Sequence, residues 1–111
     1  MGLFTRAVLA VLPHVPKPIM RRIAARYIAG ETLDEALQRI TQLQASGYTT
    51  VLDVLGEGIA DESQARAVAK AYCEAATELA RRKLDAYVSV KPTHVGLSID
   101  ENLAYELYAQ I

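Results

Sequence analysis

A single cysteine, Cys73, occurs in the 111 residues, which excludes an intrachain disulfide and a cysteine-rich metal site and points to a reducing compartment. Cys73 falls inside a helical pattern and reads as a small core hydrophobe. Tryptophan is absent, phenylalanine occurs once, and no basic run is interleaved with aromatics, so a nucleic-acid partner is not expected. Long apolar runs are also missing. Ala7–Leu12 is ended by Pro13, far short of the roughly 18 residues a membrane span needs. The run is too short for a secretory signal core as well, and no small-residue cleavage site follows it. Met1-Gly2 is followed by Arg6 where N-myristoylation needs Ser or Thr. There is no Gly-x-Ser-x-Gly, Walker loop or paired-cysteine motif, and Gly56-Glu57-Gly58 lacks the third glycine of a dinucleotide fingerprint.

Acid is missing from one end of the chain. Residues 1–30 hold Arg6, Lys17, Arg21, Arg22 and Arg26 and no Asp or Glu, whereas the rest carries all 13 acids against 7 bases. A basic arm on an acidic body suits its own acidic surface, an acidic partner or the inner face of a membrane. What is present describes one folded domain: 51% of residues are hydrophobic and 23% charged. A complete (β/α)₈ barrel needs roughly 200 residues and does not fit. A domain of this size buries about two-thirds of its unfolded surface, so modest stability is expected unless a partner adds burial.

Pro13, Pro16 and Pro18 limit residues 3–12 to a short helix. Pro18 suits the first turn of a second helix over Ile19–Ala29, with Gly30 as its C′ residue. Thr32 and Glu35 spell a capping box in which the Glu side chain returns to the cap amide. Leu33, Ala36, Leu37, Ile40 and Leu43 then share a face until Gly47 stops the helix. Thr49–Leu55 reads as a short strand buried on both faces. Asp61 and Gln64 cap a long helix with Ala65, Val68, Ala69, Tyr72, Ala76, Leu79 and Ala80 inward, and Ala86–Val90 reads as a second strand. Ser98 and Glu101 make a third capping box, opening a helix with Leu103, Leu107 and Tyr108 inward. Strand, helix, strand predicts a right-handed parallel β-α-β unit.

In such a repeat the reactive groups gather at the carboxyl ends of the strands. Lys91, directly after Val88-Ser89-Val90, is the first candidate. An ammonium at the sheet rim meets an anionic ligand, acts as a Schiff-base amine, or pairs structurally with Asp53. If Leu55 faces inward, Asp53 does too, and a buried carboxylate there needs partners. Glu57, between two glycines, lies on the loop after the first strand and carries little signal alone. His94 has no second His, Cys or paired acid at metal-ligand spacing and reads as a hydrogen-bonded loop histidine. His14 reads as solvent-exposed.

Three segments together resemble bacterial monofunctional, flavin-dependent proline dehydrogenases. Arg26-Tyr27-Ile28-Ala29-Gly30-Glu31-Thr32 with Leu33-Asp34-Glu35-Ala36 is similar to the opening segment of that family. Val51-Leu52-Asp53-Val54-Leu55-Gly56-Glu57 resembles its first barrel strand and loop, and Val88-Ser89-Val90-Lys91-Pro92-Thr93-His94-Val95-Gly96-Leu97 its second strand. The resemblance implies the N-terminal portion of a distorted (β/α)₈ TIM-type barrel that binds FAD. Residues 1–47 would form a helical arm and residues 48–111 the start of the barrel. The family oxidises L-proline to Δ1-pyrroline-5-carboxylate and passes electrons to a quinone. By position, Lys91 matches the lysine that holds the proline carboxylate, and Glu57 matches the glutamate of a gating ion pair. The family's substrate arginines, aromatic lid and most flavin contacts would fall beyond Ile111. A transit peptide ranks below a bacterial-type cytoplasmic protein, because the basic start runs on into the part that resembles the family's folded region.

The sequence therefore looks cut, and residues 1–111 alone are expected to be inactive, with two open strand edges that favour a homo-oligomer or strand exchange. Two other readings stay open. One is a non-catalytic interaction module that assembles through those edges; the other is a barrel enzyme with Lys91 as its Schiff-base lysine.

Overall fold

The computed structural model describes residues 2–25, 27–56 and 58–111. Among them the order is α1 (Leu3–Val11), a 3₁₀ turn (Leu12–His14), α2 (Lys17–Ala24), α3 (Leu33–Ala45), β1 (Thr50–Asp53), α4 (Glu62–Arg81), β2 (Ala86–Ser89), a second 3₁₀ turn (Pro92–Val95) and α5 (Glu101–Tyr108). β1 and β2 pair in parallel, with Thr50 opposite Ala86, Val51 opposite Tyr87, Leu52 opposite Val88 and Asp53 opposite Ser89. The chain is thus α/β, a small parallel sheet joined through α4, as the strand patterns required.

The arm begins as expected and then departs. Pro18 stands in the first turn of α2, but the helix ends at Ala24 and not at Ala29. None of its residues is buried, and an eight-residue helix without a packed face has little to extend it. Gly30 is therefore not its C′ residue. Its role is close approach: a Cβ there would collide with the Glu35 side chain.

Capping fixes the starts of the later helices. Thr32 Oγ1 accepts from the Glu35 amide at 3.3 Å, and Asp61 Oδ1 from the Gln64 amide at 2.9 Å. The return bonds land one residue earlier than a capping box predicts, on the amides of Glu31 (2.8 Å) and Ala60 (3.0 Å). They still satisfy orphan donors ahead of the first turn. The third cap is Asp100, which accepts from the Leu103 amide at 2.8 Å, in place of Ser98. A carboxylate at the N-terminus also gains from the helix dipole, which a hydroxyl does not.

Two apolar clusters form the core. Ala36, Leu37 and Ile40 of α3 meet Leu52, Ala75 and Leu79, with Leu84, Ala86 and Val88 against them. Ala65, Ala69 and Tyr72 of α4 meet Val95, Leu103 and Leu107, with Val54, Val88 and Val90 adjoining. On α4 the inward face includes Ala75 and leaves Ala80 exposed; on α5, Ala104 is buried and Tyr108 exposed. Cys73 is half-buried, its thiol facing the Gln110 carbonyl at 3.4 Å, so it is not a core residue.

Both helical layers cover the same side of the sheet, the side of Leu52 and Val88. The opposite side is bare: Val51 and Tyr87 are each 66% exposed and Leu55 81%. The strands are therefore buried on one face and not on two. Shape and area agree. The radius of gyration is 16.9 Å, against about 13 Å for a compact domain of this length. Accessible surface is 8333 Å² for a chain of 12.1 kDa, against roughly 6000 Å² for a monomer of that mass.

Candidate active site

The bare face carries the candidate chemistry. Alternation along β1 and β2 puts Val51, Asp53 and Leu55 on it together with Tyr87, Ser89 and Lys91. Asp53 is therefore on the open side, not in the core, and the partner it needs is supplied there: Lys91 Nζ lies 3.0 Å from Asp53 Oδ2. Both side chains are partly exposed, so the pair is hydrated and accessible to a ligand. Glu57, on the loop after β1, lies outside the described residues, as does Arg26.

Beneath this pair lies a second constellation that the sequence reading did not assemble. Tyr72 of α4 is fully buried, and its hydroxyl is 3.1 Å from Nδ1 of His94, which is 4% exposed. The rings meet edge to face, 5.8 Å apart between centroids. Burial pushes the Tyr72 phenol above its ordinary pKa, a backbone hydrogen bond from Lys91 opposes that rise, and the charges of Asp53 and Lys91 act in opposite senses. The His94 amide in turn donates to the Lys91 carbonyl at 2.9 Å. Across the loops, a Cβ on Gly56 would come 2.7 Å from His94 Nε2. The histidine was legible as hydrogen-bonded; its partner, 22 residues away in sequence, was legible only as a core position. His14 is exposed as expected, with Nδ1 3.2 Å from the Ala10 carbonyl oxygen.

The turn after Lys91 is set by Gly96, whose φ of 96° favours glycine and whose Cβ position lies 3.2 Å from both Ala65 and Leu103. Among the described residues, no group of His, Cys, Asp and Glu is arranged to hold a metal ion. A cavity of about 390 Å³ lies elsewhere, lined by Arg21, Ile28, Glu31, Glu35, Arg39 and Gln42 among others, and shares no residue with the strand exits.

An ion pair at the carboxyl edge of a parallel β-α-β unit is the layout of an α/β enzyme site. No family model matches the chain. It is similar to proline dehydrogenase 1 of Bacillus subtilis (strain 168), 36% identical over 81 residues, which is 73% of this chain and 27% of the relative. Proline dehydrogenase 2 of the same strain is 31% identical over 91 residues, 82% of this chain and 30% of the relative. The proline dehydrogenase of Deinococcus radiodurans is 30% identical over 105 residues, 90% of this chain and 34% of the relative. The chain belongs, as a partial match, to the proline dehydrogenase family, a family of oxidoreductases. It spans about a quarter to a third of the length of these curated relatives.

Proposed function

We propose that this chain is the N-terminal part of a flavin-dependent proline dehydrogenase, supplying the arm (residues 1–47) and the first strands (residues 48–111) of a (β/α)₈ barrel. The assembled enzyme oxidises L-proline to Δ1-pyrroline-5-carboxylate and hands the electrons to a quinone. The observation that carries this reading is the Lys91 ammonium on the open sheet face, 3.0 Å from Asp53, in a chain similar to proline dehydrogenases. In a barrel that face becomes the interior and Lys91 stands at the catalytic rim. Lys91 holds the proline carboxylate, Asp53 orients the lysine, and Glu57 closes a gate with an arginine supplied outside residues 1–111.

The residues of this chain do not by themselves make a flavin site. The glycine loop is too short for a dinucleotide fingerprint, and the 390 Å³ cavity is lined by the arm and α3. The FAD contacts belong to strands outside residues 1–111. Residues 1–111 alone are accordingly expected to purify colourless, to leave a quinone analogue unreduced with proline, and to sediment above the monomer mass through the bare sheet face and edges. A yellow, proline-oxidising monomer would sink the claim that the site is incomplete.

The arm suits the inner face of a membrane, and we read the protein as cytoplasmic, working beside its quinone. α2 turns Lys17, Arg21 and Arg22 to one side and exposes Ile19 and Ile23 on the other, the build of an interfacial helix. No described helix is long and apolar enough to cross a membrane. Only Arg21 meets an acid among the described basic residues of the arm, Glu31 at 3.0 Å. Vesicles containing phosphatidylglycerol are expected to retain the protein and neutral phosphatidylcholine vesicles to release it. Arg22→Glu with Ile23→Glu should abolish retention, since each basic residue near an anionic surface contributes about 1 kcal/mol. Equal recovery from both kinds of vesicle would return the arm to its own acidic body.

A further inference from the structure

The Lys91 peptide is tied to a buried polar pair by a contact that has no bearing on its charge. Its carbonyl accepts from the His94 amide at 2.9 Å. The Tyr72 hydroxyl and His94 Nδ1 are 3.1 Å apart, which links α4 through the 3₁₀ turn to the strand end. The far nitrogen of the same imidazole abuts Gly56, where a Cβ would approach within 2.7 Å. A buried polar pair of this kind is not needed for packing: a Phe and a Leu would fill the space without two polar groups to satisfy. What the pair does that an apolar pair would not is fix the peptide from which the Lys91 side chain springs, and hold the loop after β1 at a set distance from it.

We propose that Tyr72 and His94, seated against Gly56, form a clasp that positions Lys91 for an anionic ligand, so that both are positioning residues of the site. The inference rests on the reading of Lys91 as the ligand of the proline carboxylate, and deepens it. Neither residue touches the substrate. Tyr72 holds the His94 ring, and the His94 amide holds the Lys91 carbonyl; the same ring transmits the position of the Gly56 loop to the lysine. Gly56 is then required for its lack of a side chain and not for backbone freedom, since the clasp leaves no room for a methyl group.

Steady-state kinetics with proline on the full-length protein tests this. Tyr72→Phe keeps the ring and removes only the hydroxyl. It is expected to raise KM about 3- to 10-fold, the range of one neutral hydrogen bond, while kcat stays within twofold. Gly56→Ala, which drives the imidazole off its seat, should raise KM in the same direction. In a Lys91→Ala background Tyr72→Phe should change KM by less than twofold, because the clasp acts through the lysine. If Lys91→Ala raises KM and Tyr72→Phe lowers the melting temperature without moving KM, the pair is only packing and the clasp is wrong. If Lys91→Ala itself leaves KM unchanged, the substrate reading fails and takes the clasp with it.

Discussion

Lys91→Ala in the full-length protein is expected to raise the KM for proline and lower kcat/KM by roughly 10- to 150-fold, the range of a charge-assisted contact of about 1.5–3 kcal/mol. Its effect on stability should be small. The Lys91–Asp53 pair is partly exposed on both sides, and exposed pairs contribute about 0–1 kcal/mol. The two readouts therefore separate two of the three roles the sequence left open for this lysine, carboxylate ligand and structural partner. A ligand for carboxylate moves the kinetics and not the melting temperature; a structural partner of Asp53 does the reverse. Lys91→Arg should recover little, since a planar guanidinium does not replace a point charge held by one carboxylate. Flavin content should be unchanged. Proline kinetics within twofold of wild type, with a lowered melting temperature, would reject the substrate assignment.

Leu37→Ala should have the largest effect on folding. Leu37 is fully buried on α3 among Ile40, Leu52, Ala75 and Leu79, so the cavity left behind is lined from α3, β1 and α4 together. Such truncations cost about 2–5 kcal/mol, against a total of about 5–15 kcal/mol for an ordinary domain. A sheet covered on one face stands at the lower part of that range. Urea unfolding followed by circular dichroism should show the midpoint falling by about 1–3 M for a chain of this size. A midpoint within a few tenths of a molar of wild type would mean that α3 is not part of the cooperative core.

Much of this was legible in the sequence because local signals and tertiary packing agreed. Thr32 and Asp61 cap where their spacing placed them, and the inward face of α3 is the one its periodicity drew. Parallel pairing followed from two strands joined through a helix. The misreadings share a cause, which is that a pattern states what a segment can bury and not what is there to bury it. Thr49–Leu55 is apolar enough for two covered faces, yet α3 and α4 lie on the same side and leave Val51 bare. Ile19–Ala29 has helical periodicity, yet α2 stops at Ala24 with nothing packed on it. Ser98 lost its cap to Asp100 because a carboxylate nearer the helix competes better for the same amides. The Lys91–Asp53 contact was anticipated because both residues lie on strand patterns whose register follows from the fold. The Tyr72–His94 contact was not, because a tyrosine on an apolar helical face gives no sign of where its hydroxyl points.

The two apolar clusters have a consequence for how the molecule comes apart. α4 threads both, giving Ala75 and Leu79 to one and Ala65, Ala69 and Tyr72 to the other, and Val88 is the side chain that adjoins the two. Lifting α5 away uncovers Leu103 and Leu107 and unseats Val95, but it leaves the α3, β1 and β2 contacts around Leu52 in place. Opening is thus divided along the length of one helix, into a scaffold half and a half that carries the turn after Lys91. Excursions of α5 loosen the lysine's surroundings without unzipping the strand pair beneath it, so the chain has a hinge of stability running crosswise through α4.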